Sequence, residues 1–159
     1  MITISNIKPS NTRIVMKKAS PYESGSTLLY DDTKNARILL AEDDEGNGLQ
    51  IREYLYSLGY MTDWSCNGLQ ALEYAMEKEY DLFLIDVSMP RMGGMELIQK
   101  LRNENKYTKT PVLLITGSIS LESQKGLPHT YIQSFIYKPF TLEHLALQVK
   151  RFLNIPQPQ

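Results

Sequence analysis

The chain has 159 residues, enough for one domain with a full core and a modest extension. A formal charge of −1 and scattered Lys and Arg exclude the basic footprint of a nucleic-acid binder. No apolar run approaches the roughly 20 residues that span a bilayer, and the single cysteine, Cys66, excludes a disulfide framework or a thiolate metal cage. Met1-Ile2-Thr3-Ile4-Ser5 lacks the charged start and apolar stretch of a signal peptide. A soluble, cytoplasmic protein is expected.

In chain order, residues 1–35 hold Pro9, Pro21, Gly25 and several serines and asparagines. Ile2, Ile4 and Ile7 are too sparse for a core, so a flexible N-terminal extension is predicted. The first strand, Arg37-Ile38-Leu39-Leu40-Ala41, ends in Glu42-Asp43-Asp44. Ile51, Tyr54, Leu55 and Leu58 then recur at helical spacing, and Gly59 stands where a left-handed stop is needed. Tyr60 to Trp64 reads as a second strand, Asn67-Gly68 as a turn, and Ala71, Leu72, Ala75 and Met76 as the inner face of a second helix.

The third strand, Asp81-Leu82-Phe83-Leu84-Ile85-Asp86, is short and unbroken, as expected of a strand buried on both faces. A loop with Pro90, Gly93 and Gly94 leads to a helix carrying Leu97, Ile98 and Leu101. Val112-Leu113-Leu114-Ile115 is a fourth strand ending at Thr116. From Leu121 to Gln133 the pattern is irregular, and Gly126 and Pro128 predict a short or broken fourth helix. Phe135-Ile136-Tyr137 leads into Lys138-Pro139, and Thr141 can cap a last helix that buries Leu145, Val149 and Phe152. Strands alternating with helices imply an α/β domain over 36–154, with a parallel sheet covered on both faces and a short tail at 155–159.

Taken singly, the residues at the strand ends have plain readings: a solvated acidic turn, a turn-starting Asp, a Thr-Gly-Ser loop, a surface lysine before proline. Jointly they are harder to dismiss. Three acids, a hydroxyl and a lysine converge on the rim where open α/β sheets bind ligands. Clustered carboxylates repel one another, and a hard, oxygen-liganded Mg²⁺ offsets this with one or two carboxylates plus waters and phosphate oxygens. Phosphoryl transfer to a carboxylate needs the same parts: Asp86 as nucleophile, Asp43 and Asp86 on the cation, Lys138 as a point charge, Thr116 as a hydroxyl donor.

These residues resemble the receiver domain of two-component response regulators: an acidic pair after strand one, Asp after strand three, Thr or Ser after strand four, Lys-Pro after strand five. The resemblance covers about 36–154 and implies a flavodoxin-like, doubly wound, five-stranded parallel sheet of order 2-1-3-4-5. It implies that Asp86 accepts phosphate from a phosphohistidine, and that Mg²⁺ (or Mn²⁺) sits chiefly on Asp43, Asp86 and the backbone carbonyl of Ser88, with Glu42 acting indirectly. Thr116 becomes the switch hydroxyl, Phe135 the switch aromatic and Lys138 the conserved-type lysine. Implied partners are a histidine kinase or histidine phosphotransfer protein and a downstream protein, with no nucleic acid and no membrane, the receiver being a monomer or weak dimer. It would be a signalling phosphoacceptor rather than an enzyme, with at most autophosphorylation from small phosphodonors and self-dephosphorylation.

Several positions depart from the family pattern. Gly93 replaces a capping Asp, Phe135 an aromatic that is often Tyr, and Tyr131-Ile132 the usual Gly-Ala. Ser88 and Ser118 hold positions that tune phosphate loss. With no room for an output module after the last helix, a stand-alone regulator or phosphorelay member is expected. Asn47, in Glu-Asp-Asp-x-x-Asn, looks like receivers of hybrid histidine kinases, so a receiver excised from one is an alternative. Two rivals are a phosphorylation-independent adaptor and a haloacid-dehalogenase-like phosphohydrolase, which would need an Asp where Ser88 stands. His129 and His144 read as surface or cap residues, Cys66 as structural and Trp64 as a packing residue.

Overall fold

A computed structural model describes residues 35–117 and 131–154. The expected extension at 1–35 (save Asn35), the tail at 155–159, the irregular stretch around Gly126 and Pro128, and Ser118 and His129 lie outside the described residues. The elements are β1 (Arg37–Ala41), α1 (Glu45–Ser57), β2 (Met61–Ser65), α2 (Gly68–Glu77), β3 (Leu82–Asp86), α3 (Gly94–Asn103), a 3₁₀ turn (Asn105–Tyr107), β4 (Val112–Thr116), β5 (Ser134–Tyr137) and α4 (Leu142–Leu153). All neighbouring strands are parallel, in the order β2-β1-β3-β4-β5. That is the flavodoxin-like arrangement expected from the sequence.

Alternation along the strands divides the core into two layers. Ile38, Leu40, Leu82, Leu84, Leu113 and Ile115 face Ile51 and Leu55 of α1 and Leu145 and Val149 of α4. Leu39, Ala41, Phe83, Ile85, Val112 and Leu114 face Ala71 and Ala75 of α2 and Leu97, Ile98 and Leu101 of α3. Because β3 and β4 are buried at every position, they read in sequence as continuous apolar runs.

α1 ends in a Schellman motif. Gly59, at φ 96°, lets its own N–H reach the Tyr56 carbonyl at 2.9 Å and the Tyr60 N–H reach that of Leu55 at 3.1 Å. Tyr60 therefore belongs to this cap and to the core, and β2 starts one residue later than the composition suggests. Leu58 becomes the C-cap and is exposed rather than facing the core. Met76 is exposed too, because α2 approaches the sheet through Ala71 and Ala75. The expected turn at Asn67-Gly68 is instead a helix start: the Asn67 side chain accepts from the Gln70 N–H at 2.9 Å and caps α2. Cys66, expected to be structural, is exposed. Thr141 caps α4 as predicted.

A polar cluster braces the β2 edge. Asp63 accepts from the Tyr80 hydroxyl at 2.8 Å, Lys78 Nζ at 3.0 Å and Arg37 Nη1 at 3.5 Å. Burial works to raise the Asp63 pKa, but these partners outweigh it and hold the carboxyl below its usual range. Replacing Asp63 with Ala is expected to cost about 1–2 kcal/mol in urea unfolding at pH 7. A depressed folded-state pKa gives stability that is present above the unfolded value of roughly 3.9 and is lost as pH falls through the folded value. The gap between wild type and variant should therefore close below about pH 4; a gap that stays constant down to pH 2 would refute the ionic origin.

Candidate functional site

A parallel sheet sends every strand's carboxyl end to one edge, and the register brings the expected residues together there. Ala41 lies opposite Ile85, Asp86 opposite Ile115, and Thr116 opposite Tyr137. Glu42, just beyond β1, thus lies beside the end of β3, and Lys138, just beyond β5, reaches that end across β4. The Lys138 N–H donates to the Thr116 carbonyl at 2.8 Å, and the peptide between Lys138 and Pro139 is cis.

Glu42 is 0% exposed and Asp86 4%, whereas Asp43 stands open to solvent. One carboxylate oxygen from each of Glu42, Asp43 and Asp86 lies within 4.8 Å of the other two. Lys138 Nζ donates to Glu42 Oε2 at 3.0 Å and to Oε1 at 3.3 Å, and it contacts Asp86 Oδ2 directly. The Asp44 N–H donates to Glu42 Oε1 at 3.2 Å and the Ser88 N–H to Asp86 Oδ1 at 3.0 Å. Burial and then the charge of Asp86 push the Glu42 carboxyl up, against the lowering effect of Lys138. For Lys138, burial acts to lower the ammonium's pKa, but its hydrogen bonds to Asp86 and Glu42 and their charges prevail and hold it above its ordinary value. One ammonium among three acids leaves the pocket net negative, and its hard oxygen donors, two of them buried, fit a small divalent cation.

Of the remaining predicted residues, Thr116 is buried at the end of β4 beside Asp86. Phe135 is half-buried on β5, its ring stacked on that of Tyr137 with centroids 6.3 Å apart and planes 15° apart. Ser88 is exposed two residues beyond Asp86. Gly93 is the N-cap of α3 in extended geometry, with no side-chain bond to offer.

Sequence reasoning passed over three features. A Cβ on Gly94 would lie 2.2 Å from the Asp86 carbonyl oxygen and 2.9 Å from Ile85 Cγ2, so only glycine lets α3 begin against the end of β3. Arg102 is buried at the end of α3, where its guanidinium donates to the carbonyls of Tyr107 at 2.5 Å, Thr110 at 2.7 Å and Tyr131 at 2.7 Å, tying the approach to β4 to that of β5. Trp64 donates its indole N–H to the Glu42 carbonyl at 2.8 Å. Adjacent glycines before a helix hinted at the first; the other two had no local signal.

Gly94→Ala tests the close approach. Helix propensity alone would favour Ala by about 1 kcal/mol. The collision is with backbone and cannot be relieved by a rotamer change, so a net loss of about 2–3 kcal/mol in urea unfolding is expected. A stabilised variant would refute the packing argument.

A family model of the response regulator receiver domain matches residues 38–150. The chain is 32% identical over 118 residues to the transcriptional regulatory protein CrdR of Helicobacter pylori, covering 74% of this chain and 55% of that protein. It thus spans about half the length of the curated regulators it matches. Among solved structures it is similar to the chemotaxis response regulator CheY4 of Vibrio cholerae, with a TM-score of 0.69 and 27% identity over 74% of this chain and 98% of that one. It is also similar to the receiver domain of the sensor histidine kinase PA1611 from Pseudomonas aeruginosa PAO1, solved with a magnesium ion coordinated in the active site cleft. There the TM-score is 0.70 and the identity 25%, over 76% of this chain and 99% of that one.

Proposed function

The chain belongs to the response regulator receiver domain family of two-component signalling, and from that premise we propose that it takes a phosphoryl group from a phosphohistidine onto Asp86 and converts it into a changed protein-binding surface. One observation carries the reading: three carboxylates and one ammonium meet at one edge of the sheet, with Lys138 in contact with Asp86. The family is one of signalling phosphoacceptors. Among the described residues no helix is long and apolar enough to cross a membrane.

Asp86 is the nucleophile. Its carboxylate oxygen attacks phosphorus, the P–N bond breaks, and the leaving imidazole keeps the electron pair and takes a proton from water. With a small donor such as acetyl phosphate the leaving group is acetate. Asp43, Asp86 and the Ser88 backbone carbonyl would hold Mg²⁺ or Mn²⁺, with Glu42 shaping the pocket through Lys138. When bound, the cation supplies the positive charge that offsets carboxylate repulsion and steadies phosphoryl oxygens. Lys138 turns from Asp86 to a phosphoryl oxygen, where a compact ammonium stabilises charge spread over the transferring group.

Thr116 donates its hydroxyl to the acyl phosphate, and Phe135 fills the space it leaves. This shifts the population toward a state with a different surface around β5 and α4. That surface is read by a partner protein or by a module on a longer polypeptide. Onward relay of the phosphate to a second histidine is a further reading, favoured by the likeness to a receiver domain of a sensor histidine kinase and by Asn47 on α1.

The test is direct. Incubation with acetyl phosphate and MgCl₂ should add about 80 Da, the mass of one HPO₃, to the peptide containing Asp86, and EDTA should suppress the gain. A protein that gains no mass with Mg²⁺ present would sink the proposal.

A further inference from the structure

The acidic loop is gripped from outside by β2, through one backbone bond and one aromatic side chain. Glu42 donates its N–H to the Ser65 carbonyl at 3.1 Å and accepts the Trp64 indole N–H on its own carbonyl at 2.8 Å. That oxygen belongs to the rigid peptide plane linking Glu42 to Asp43, so the indole sets the orientation from which Asp43 departs. The same donating edge of the indole lies against α1: a Cβ on Gly48 would fall 2.3 Å from Trp64 Nε1 and 2.4 Å from Cε2. Gly48 is thus the recess that lets the ring reach the loop. Asp44, one residue on from Asp43, caps α1 through the Asn47 N–H at 2.8 Å, which anchors the other end of the loop.

We propose that Trp64 is a positioning residue for the cation and phosphoryl site, acting through the Glu42 carbonyl to hold Asp43 in ligating geometry. The inference rests on the receiver function proposed for Asp86. Mg²⁺ tolerates little departure from octahedral geometry, so a loosened Asp43 lowers affinity before it lowers stability. As the chain's only tryptophan, Trp64 also reports on the loop by its own fluorescence.

Isothermal titration with MgCl₂ tests this in four proteins carrying all 159 residues: wild type, Trp64→Phe, Gly48→Ala and Asp63→Ala. Trp64→Phe keeps an aromatic ring and removes the donor. Gly48→Ala keeps the donor and displaces it, while improving helix propensity. Asp63→Ala perturbs the neighbouring residue of β2 without touching Glu42. Both indole-directed variants should bind Mg²⁺ about tenfold more weakly, the low end of what loss of outer-sphere support for a ligand costs, and Asp63→Ala should match wild type. Phosphorylation by acetyl phosphate should slow at limiting Mg²⁺ and recover at saturating Mg²⁺, which a merely structural defect would not do. Affinities within twofold of wild type for both variants would overturn the assignment while leaving the phosphoacceptor reading intact. A wild type that binds no Mg²⁺ and gains no phosphate would overturn both together.

Discussion

Asp86→Asn is expected to abolish the gain of about 80 Da from acetyl phosphate, because no neighbouring carboxylate can stand in as nucleophile. Glu42 is fully buried, with both oxygens engaged by Lys138 and one also by the Asp44 N–H. Asp43 lies on the open side of the pocket and, in the proposed site, on the cation. Asn conserves shape and can keep the bond from the Ser88 N–H that Asp86 now accepts. It also removes one charge from a net-negative pocket, so the variant should unfold within about 1 kcal/mol of wild type. The loss would thus be chemical rather than structural. Mass gain surviving the substitution would assign the phosphate elsewhere. Equal binding of a downstream partner by the variant and by phosphorylated wild type would favour the adaptor.

Lys138→Ala should reduce the rate of phosphorylation by about 10²–10³-fold, the scale seen when one preorganised donor to a developing negative charge is removed. It should also destabilise the fold. Glu42 would lose the partner that offsets its burial, and Asp86 and Glu42 would face one another without a cation between them. Breaking a fully buried pair costs about 3–5 kcal/mol, and the partial exposure of Lys138 reduces this to about 2 kcal/mol. The lysine's folded-state pKa is raised, so this stability is fully present below the unfolded value of roughly 10.4 and disappears only as pH rises through the folded one. Urea titrations of wild type and variant should therefore differ by the same amount from pH 6 to about 9. Lys138→Arg separates the two roles: a second cation restores most of the stability, but a planar guanidinium does not replace a compact ammonium, so little rate returns. A Lys138→Ala protein phosphorylated within threefold of wild type would refute the role given to this side chain.

Much of the architecture was legible because its signals are local. β1, β3 and β4 announced themselves as short apolar runs, since a strand buried on both faces has no polar side to display. Gly59 and Thr141 marked helix ends through backbone conformation and side-chain capping, which depend on a few neighbouring residues. The misreadings were local too. Asn67 suits a turn as well as a helix cap, because the same side-chain-to-backbone bond serves both, and only the conformation of the next few residues separates them. Leu58 and Met76 fitted a helical period but fell at helix ends, where the buried stripe has already turned away from the sheet.

By itself, the sequence determined a parallel α/β domain and put acids, a hydroxyl and a lysine at the ends of four strands. Once the strands run parallel, topology alone sends those ends to one rim. Only the tertiary structure decided that Glu42 is sealed while Asp43 is open, that Lys138 bridges Glu42 and Asp86, and that Trp64, Gly48, Gly94 and Arg102 hold the loops in place. Those outcomes depend on strand register and on how closely each helix approaches the sheet, between residues as far apart as Glu42 and Lys138. Local periodicity carries no record of such distances, because it reports which way a side chain points and not what it meets there.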